Sequence, residues 1–230
     1  MKHILKNIVT ILIISFLTSV NSQEILFVGN SLTYSNNLPK ILEEIAENSG
    51  KKIKTKSLCF PNYAIIDHLN EGKLQKILAK NKIDYLVVQQ GPSSQKEGKK
   101  MLIEDGETLK KICDKYNVNL VYFMVWTSKK WYNTFDLVIE NHKLAAKKNN
   151  ALLFPVGEIW KKYTKFKKHE ELYDLDGFHP SKTGSFFAAL TMFSYLYPKE
   201  NLHLLKFHSY EKWIKNEDSF KLMIKLIKEN

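Results

Sequence analysis

The chain has 230 residues, 44% of them hydrophobic, and a formal net charge of +11. That length suits one α/β domain with a real core. The basic excess is scattered along the chain in lysine pairs such as Lys51-Lys52, Lys110-Lys111 and Lys167-Lys168. It therefore reads as a solvated surface, and a nucleic-acid footprint, which would gather charge on one face, is not expected.

The N-terminal stretch stands apart. Lys2 and Lys6 flank the start of a nearly unbroken apolar run over residues 8–17, and Ser19-Val20-Asn21-Ser22 ends in small or polar residues. A charged start, a short apolar stretch and a small-residue end make a secretory signal peptide over residues 1–22, with cleavage after Ser22. The apolar run is well short of the ~20 residues that span a bilayer, and no cysteine stands at the cleavage region to carry a lipid anchor. The expectation is an exported protein, periplasmic or extracellular, with no stable membrane insertion. Loss of Lys2 and Lys6, with no acid removed, takes the net charge from +11 to +9.

Residues 23–230 read as a single domain. Apolar runs at 24–28, 53–60, 85–89, 119–125 and 151–156 are predicted strands. Several are continuously apolar, as central parallel strands covered on both faces require. Helical spacing fills the intervals at 38–48, 65–80, 100–116 and 135–148. In the first, Leu38, Ile41, Leu42 and Ile45 form one stripe, with Glu43, Glu44 and Glu47 opposite. This alternation argues for a parallel sheet with crossover helices. A short helix is expected around 159–166, then a turn and a helix near Pro180, which suits a first helical turn. The tail from about 200 to 230 reads as one or two surface helices, with Tyr210, Trp213 and Ile214 available to pack on the body. Of the two cysteines, Cys59 ends a predicted strand and Cys113 falls in a predicted helix. Both are read as free thiols, with a disulfide as the alternative in an exported chain. No Cys/His pair has zinc-site spacing, so neither a metal nor a cofactor is expected.

Two short stretches carry chemistry. The first strand runs into Gly29-Asn30-Ser31, which places a hydroxyl beyond the carboxyl end of the sheet, where open parallel sheets build their sites. Asp176-Gly177-Phe178-His179 puts a carboxylate and an imidazole on one tight loop. A serine needs an adjacent base to become a nucleophile, and the imidazole needs a carboxylate to fix its tautomer. Taken singly, each stretch also fits a plain turn or helix cap.

Together they resemble the SGNH (GDSL-type) hydrolases over roughly residues 24–197. "GNSLT" is similar to the first block of that family, with Ser31 at the nucleophile position and Asn30 where many members have Asp. "DGFHPSKTG" is similar to the last block, with Asp176 as the acid and His179 as the base. The resemblance implies a flavodoxin-like three-layer α/β/α sandwich, here with a five-stranded parallel sheet, and metal-free ester hydrolysis. An α/β-hydrolase is less well matched, because no G-x-S-x-G surrounds Ser31.

The middle blocks depart from the family. The second normally offers a glycine N–H to the oxyanion. Here it reads "CFPNYAIIDH", and Asn62 is the best match because asparagine tolerates left-handed backbone. The third normally ends in an asparagine side-chain donor. Here it reads "VVQQGPSS", and Gln90, before Gly91, is assigned the role, with Gln89 and Ser93 as alternatives. Gln89 and Gln90 point to opposite faces if the strand continues. The expected oxyanion donors are the Ser31 and Asn62 N–H groups and the Gln90 amide. Asn30 and Trp126 are the expected substrate contacts, with Trp131 on the same sheet edge, and His68 is read as structural.

The expected activity is that of a secreted serine esterase acting on small-molecule or carbohydrate esters, chiefly O-acetyl groups. A non-catalytic glycan-binding protein on the same fold is the rival. A phosphate-binding flavodoxin-like module is disfavoured for want of a glycine-rich cradle. The sequence sets no oligomeric state.

Overall fold

The computed structural model describes residues 22–230, so the expected signal segment lies outside the described residues apart from Ser22. Five parallel strands form one sheet: β1 (Gln23–Gly29), β2 (Ile53–Cys59), β3 (Tyr85–Val88), β4 (Asn119–Phe123) and β5 (Leu152–Phe154). Their order is β2-β1-β3-β4-β5. The architecture is the flavodoxin-like three-layer α/β/α sandwich.

The helices are α1 (Ser31–Tyr34), α2 (Leu38–Asn48), α3 (Ile65–Glu71), α4 (Lys73–Lys80), α5 (Lys96–Tyr116), α6 (Phe135–Lys148), α7 (Val156–Tyr163), α8 (Lys182–Leu196) and α9 (Glu217–Lys228). Alternating strand residues split the core into two layers. Ile25, Phe27, Val87 and Phe123 pack with α2, α7, α8 and α9. Leu26, Val28, Leu86 and Leu120 pack with α3, α4 and α5. Ile25 through Val28 are all fully buried, as expected of a central strand covered on both faces.

Several boundaries differ from the sequence expectation, each for a local reason. The helix expected over 65–80 is two helices, because Gly72 adopts a left-handed backbone (φ +67°) between α3 and α4. α5 begins at Lys96, one turn early. The fifth strand ends at Phe154, because Pro155 stops the ladder and Val156 opens α7. Pro180 is not in the first helical turn. Ser181 caps α8, its Oγ accepting the Gly184 N–H at 3.0 Å, and Pro180 closes the preceding loop by bridging to Tyr173.

The tail is more than surface dressing. Tyr210 and Ile214 are fully buried, and Phe220, Met223, Ile224 and Ile227 of α9 join the same apolar layer as α8. That cover is why α8 is buried on every side from Thr183 to Phe193. Cys59 packs on one core layer and Cys113 belongs to the other. Both are free thiols, and burial pushes each up to about 12.

Candidate active site

The strand order reverses between β1 and β3: the chain steps outward from β1 to β2, then returns to the other side of β1. In open α/β sheets that switch point leaves a crevice at the carboxyl ends of the strands. The residue after β1 is Asn30 and the residues after β3 are Gln89 and Gln90, so the ends of both strands open onto this crevice.

Asn30 leaves the strand in extended conformation and caps α1. Its Oδ1 accepts the Leu32 N–H at 3.1 Å, and its Nδ2 donates to the Tyr63 carbonyl at 3.0 Å. Gln89 Oε1 accepts two bonds from the same turn, the Asn30 N–H at 3.0 Å and the Thr33 hydroxyl at 2.9 Å. This approach is possible only over a glycine: a Cβ on Gly29 would lie 2.6 Å from Gln89 Oε1. The Gly29 carbonyl faces His68 Nε2 at 3.0 Å, and burial lowers the pKa of that imidazole, leaving Nε2–H as donor. The turn is thereby locked from three sides, with Ser31 at the first position of α1.

His179 arrives on a loop between Leu172 and Ser181. The Ser181 N–H donates to the Leu172 carbonyl at 2.9 Å and the Asp174 N–H to the His179 carbonyl at 2.8 Å. Gly177 makes the tip possible with φ +68°. His179 Nε2 lies 2.9 Å from Ser31 Oγ, and His179 Nδ1 lies 2.5 Å from Asp176 Oδ2. Asp176 Oδ1 also accepts the Phe178 and His179 N–H groups, both at 2.9 Å. The hydrogen bond from His179, followed by that from Phe178, holds the Asp176 carboxyl below the usual carboxylate range. An anionic Asp176 fixes Nδ1–H on the imidazole, which leaves Nε2 free to accept from the serine hydroxyl. A proton can pass from Ser31 to His179 without any side chain moving.

Asn62 has φ +61°, the left-handed conformation anticipated for it. Among the described residues, neither its N–H nor that of Ser31 donates within the protein. Both residues line a cavity of about 310 Å³ together with Asn30, Gln90, Ser93 and Phe178. Gln90 thus shares the serine's pocket, whereas Gln89 does not line it and instead braces the Ser31 turn. Gln90 Nε2 donates to Ser93 Oγ at 2.8 Å and more weakly to the Gly98 carbonyl at 3.4 Å. The Ser93 hydroxyl is turned to the Gly91 carbonyl.

Trp126 is not a substrate contact. It is fully buried and stacks on Trp160 with centroids 3.7 Å apart. Its Nε1–H donates to the Phe178 carbonyl at 2.9 Å, so it holds the loop bearing His179 from beneath. Asn30 lines the pocket, but its side chain is spent on the cap and on Tyr63. Two supports of the site lie far along the chain from what they hold: Gln89, beneath Ser31, and the Lys129 N–H, which donates to the Gly177 carbonyl at 2.8 Å. Only the doubled glutamine of "VVQQGPSS" hinted at the first. No group of three or more His, Cys, Asp or Glu side chains placed to hold a metal occurs among the described residues. Among them, too, no helix is long and apolar enough to cross a membrane.

Fold, switch point and the two sequence blocks define the class: this is an SGNH/GDSL-type hydrolase fold. No family model matches the sequence, and no curated protein matches it either. Solved structures do. An SGNH hydrolase, so described, from Slackia heliotrinireducens is 25% identical, with a TM-score of 0.64, and the match covers 76% of this chain and 100% of that one. A DUF4886 family protein from Bacteroides uniformis is 16% identical with a TM-score of 0.76, over 91% of this chain and 94% of that one. An acetyl xylan esterase from Geobacillus stearothermophilus is 15% identical with a TM-score of 0.51, over 74% of this chain and 91% of that one.

Proposed function

We propose that this protein is an exported serine esterase that removes O-acetyl groups from carbohydrates. The observation that carries the reading is the unbroken hydrogen-bonded chain from Ser31 Oγ through His179 to Asp176. Ser31 Oγ attacks the ester carbonyl carbon as His179 Nε2 takes its proton, and the electron pair of the C=O moves to oxygen. The Ser31 and Asn62 N–H groups receive that oxyanion. Gln90 adds a third donor by releasing its long contact to the Gly98 carbonyl. Collapse breaks the carbon–alcohol oxygen bond, and His179 returns the proton to the departing alkoxide. Water then attacks the acyl-Ser31, again with His179 as base, and frees the acid and the serine.

An acetyl substrate is supported by the small pocket around Ser31. Its walls include the polar side chains of Asn30, Asn62, Gln90 and Ser93, a poor surface for a long alkyl chain. A carbohydrate is supported by the resemblance to the acetyl xylan esterase, and export by the charged and apolar N-terminal segment.

A fluorophosphonate probe and a panel of acetylated sugars and short- and long-acyl esters test this. The probe should label Ser31, acetyl esters should be cleaved fastest, and Ser31→Ala and His179→Ala should abolish both effects. Labelling of another serine, or a fully active Ser31→Ala protein, would overturn the assignment.

A further inference from the structure

Trp131 is 57% exposed, unusual for so large an apolar side chain, while its backbone is firmly held. Its N–H donates to the Ser128 carbonyl at 3.0 Å, and its carbonyl accepts the Thr134 hydroxyl at 2.8 Å and the Thr127 hydroxyl at 3.2 Å. The indole forms part of the wall of a second cleft of about 630 Å³, beside Asp176 and Phe178. Pro92 and Phe178 line both this cleft and the Ser31 pocket, so the two cavities adjoin across a shared rim.

We infer that this second cleft holds the alcohol half of the ester, with a pyranose ring lying on the Trp131 indole. The inference rests on the esterase reading above and assigns its substrate orientation. The proton argument gives the direction. His179 protonates the leaving oxygen, so the alcohol must depart on the side of the imidazole and its carboxylate. Asp176 lines the second cleft and not the Ser31 pocket. The acyl group is left with the small pocket beside Asn62 and Gln90.

The lining gives the class of alcohol. A pyranose has an apolar C–H face and a rim of hydroxyls. The indole offers a flat apolar surface of matching kind, and Ser94, Gln95, Ser128 and Lys130 supply donors and acceptors around it. Lys130 Nζ lies over the indole, 5.3 Å from its centroid, in a cation–π contact on one face of the ring, so a sugar stacks on the other face or takes the ammonium's place there. An alkyl alcohol would cover the same polar groups without pairing them.

The test compares an acetylated methyl pyranoside with methyl acetate, whose alcohol is too small to reach the indole, in the wild type, Trp131→Ala and Trp131→Phe. Trp131→Ala should raise KM for the pyranoside about tenfold, leave methyl acetate hydrolysis unchanged, and be largely rescued in Trp131→Phe. In a Ser31→Ala background, binding of the acetylated pyranoside measured by calorimetry should weaken by the same factor when Trp131→Ala is added. An unchanged KM and affinity for the pyranoside, or equal losses on both esters, would overturn the inference. A wild type inert toward every ester would overturn the esterase reading instead, and the binding measurement would still decide the cleft.

Discussion

The two sides of the Ser31–His179 contact are built in opposite ways. On the serine side, Asn30, His68 and Gln89 are 6%, 1% and 2% exposed and bind the turn through buried hydrogen bonds to the sheet and to α3. On the histidine side, the His179 and Asp176 side chains are 36% and 49% exposed, and the loop is held by Trp126 and Lys129 from outside it. The Ser31 turn is thus part of the fold's stability, whereas the His179–Asp176 pair is laid against it. Substitutions on the first side should cost folding as well as rate, and those on the second mainly rate.

The largest effect is expected where the buried side is broken. Gln89→Leu leaves the Asn30 N–H and the Thr33 hydroxyl without an acceptor. Each such loss costs about 1–3 kcal/mol. Part is offset because Gln89 Nε2 has no partner in the native protein. Stability measured by urea unfolding should fall by about 3 kcal/mol, with activity falling alongside. Unchanged stability would remove the distinction between the two sides.

Gln90→Ala sharpens it. Its neighbour in sequence serves the fold, whereas Gln90 faces the pocket. Steady-state kinetics should show kcat reduced roughly a hundredfold with KM nearly constant, and the urea midpoint should move less than in Gln89→Leu, because the bonds of Gln90 to the Ile65 N–H and the Gly98 carbonyl are both long, at 3.4 Å. A fully active variant would leave the oxyanion to the two backbone N–H groups alone.

The contrast between buried and half-exposed imidazoles extends to His142. Burial drives its pKa down to about 4, and its Nδ1 lies 2.8 Å from the Val138 carbonyl. Below the ordinary value of 6.5 the unfolded chain takes up a proton that the folded chain refuses until about pH 4. Its contribution is therefore intact above pH 6.5 and is lost as pH falls through that window. Relative to pH 7, the wild type should lose about 2 kcal/mol more than His142→Gln by pH 5. Parallel pH profiles in urea unfolding would contradict this.

The smallest effect falls on the laid-on side. Trp126→Phe keeps an aromatic ring against Trp160 but removes the donor to the Phe178 carbonyl. A loosened His179 should lower kcat by roughly tenfold, with the urea midpoint shifting less than in Gln89→Leu. A stability loss equal to that of Gln89→Leu would mean that the loop is as integral to the fold as the Ser31 turn.

Much was legible without the structure. The parallel sheet followed from continuous apolar strands alternating with amphipathic helices, because a strand covered on both faces cannot alternate. Ser31, Asp176 and His179 were readable as candidates from short-range spacing, a hydroxyl just past a strand and an acid three residues before a base, and the fold brings them into one hydrogen-bonded chain. Asn62 was readable because a left-handed backbone favours asparagine when glycine is absent. Other features were decided only in three dimensions. Trp126 and Trp131 stand five residues apart on one sheet edge with the same side chain, yet one is core and the other faces a cleft. What separates them is Trp160, which α7 brings against Trp126 from more than thirty residues away. Gln89 and Gln90 are the same residue in adjacent positions. Alternation along the strand turns them to opposite faces, and the strand order then sets Gln89 against Gly29 of β1 and Gln90 toward the pocket. The sequence determines what each side chain can do, but burial and partners belong to elements distant along the chain, and those are fixed only when the sheet assembles and the helices cover it.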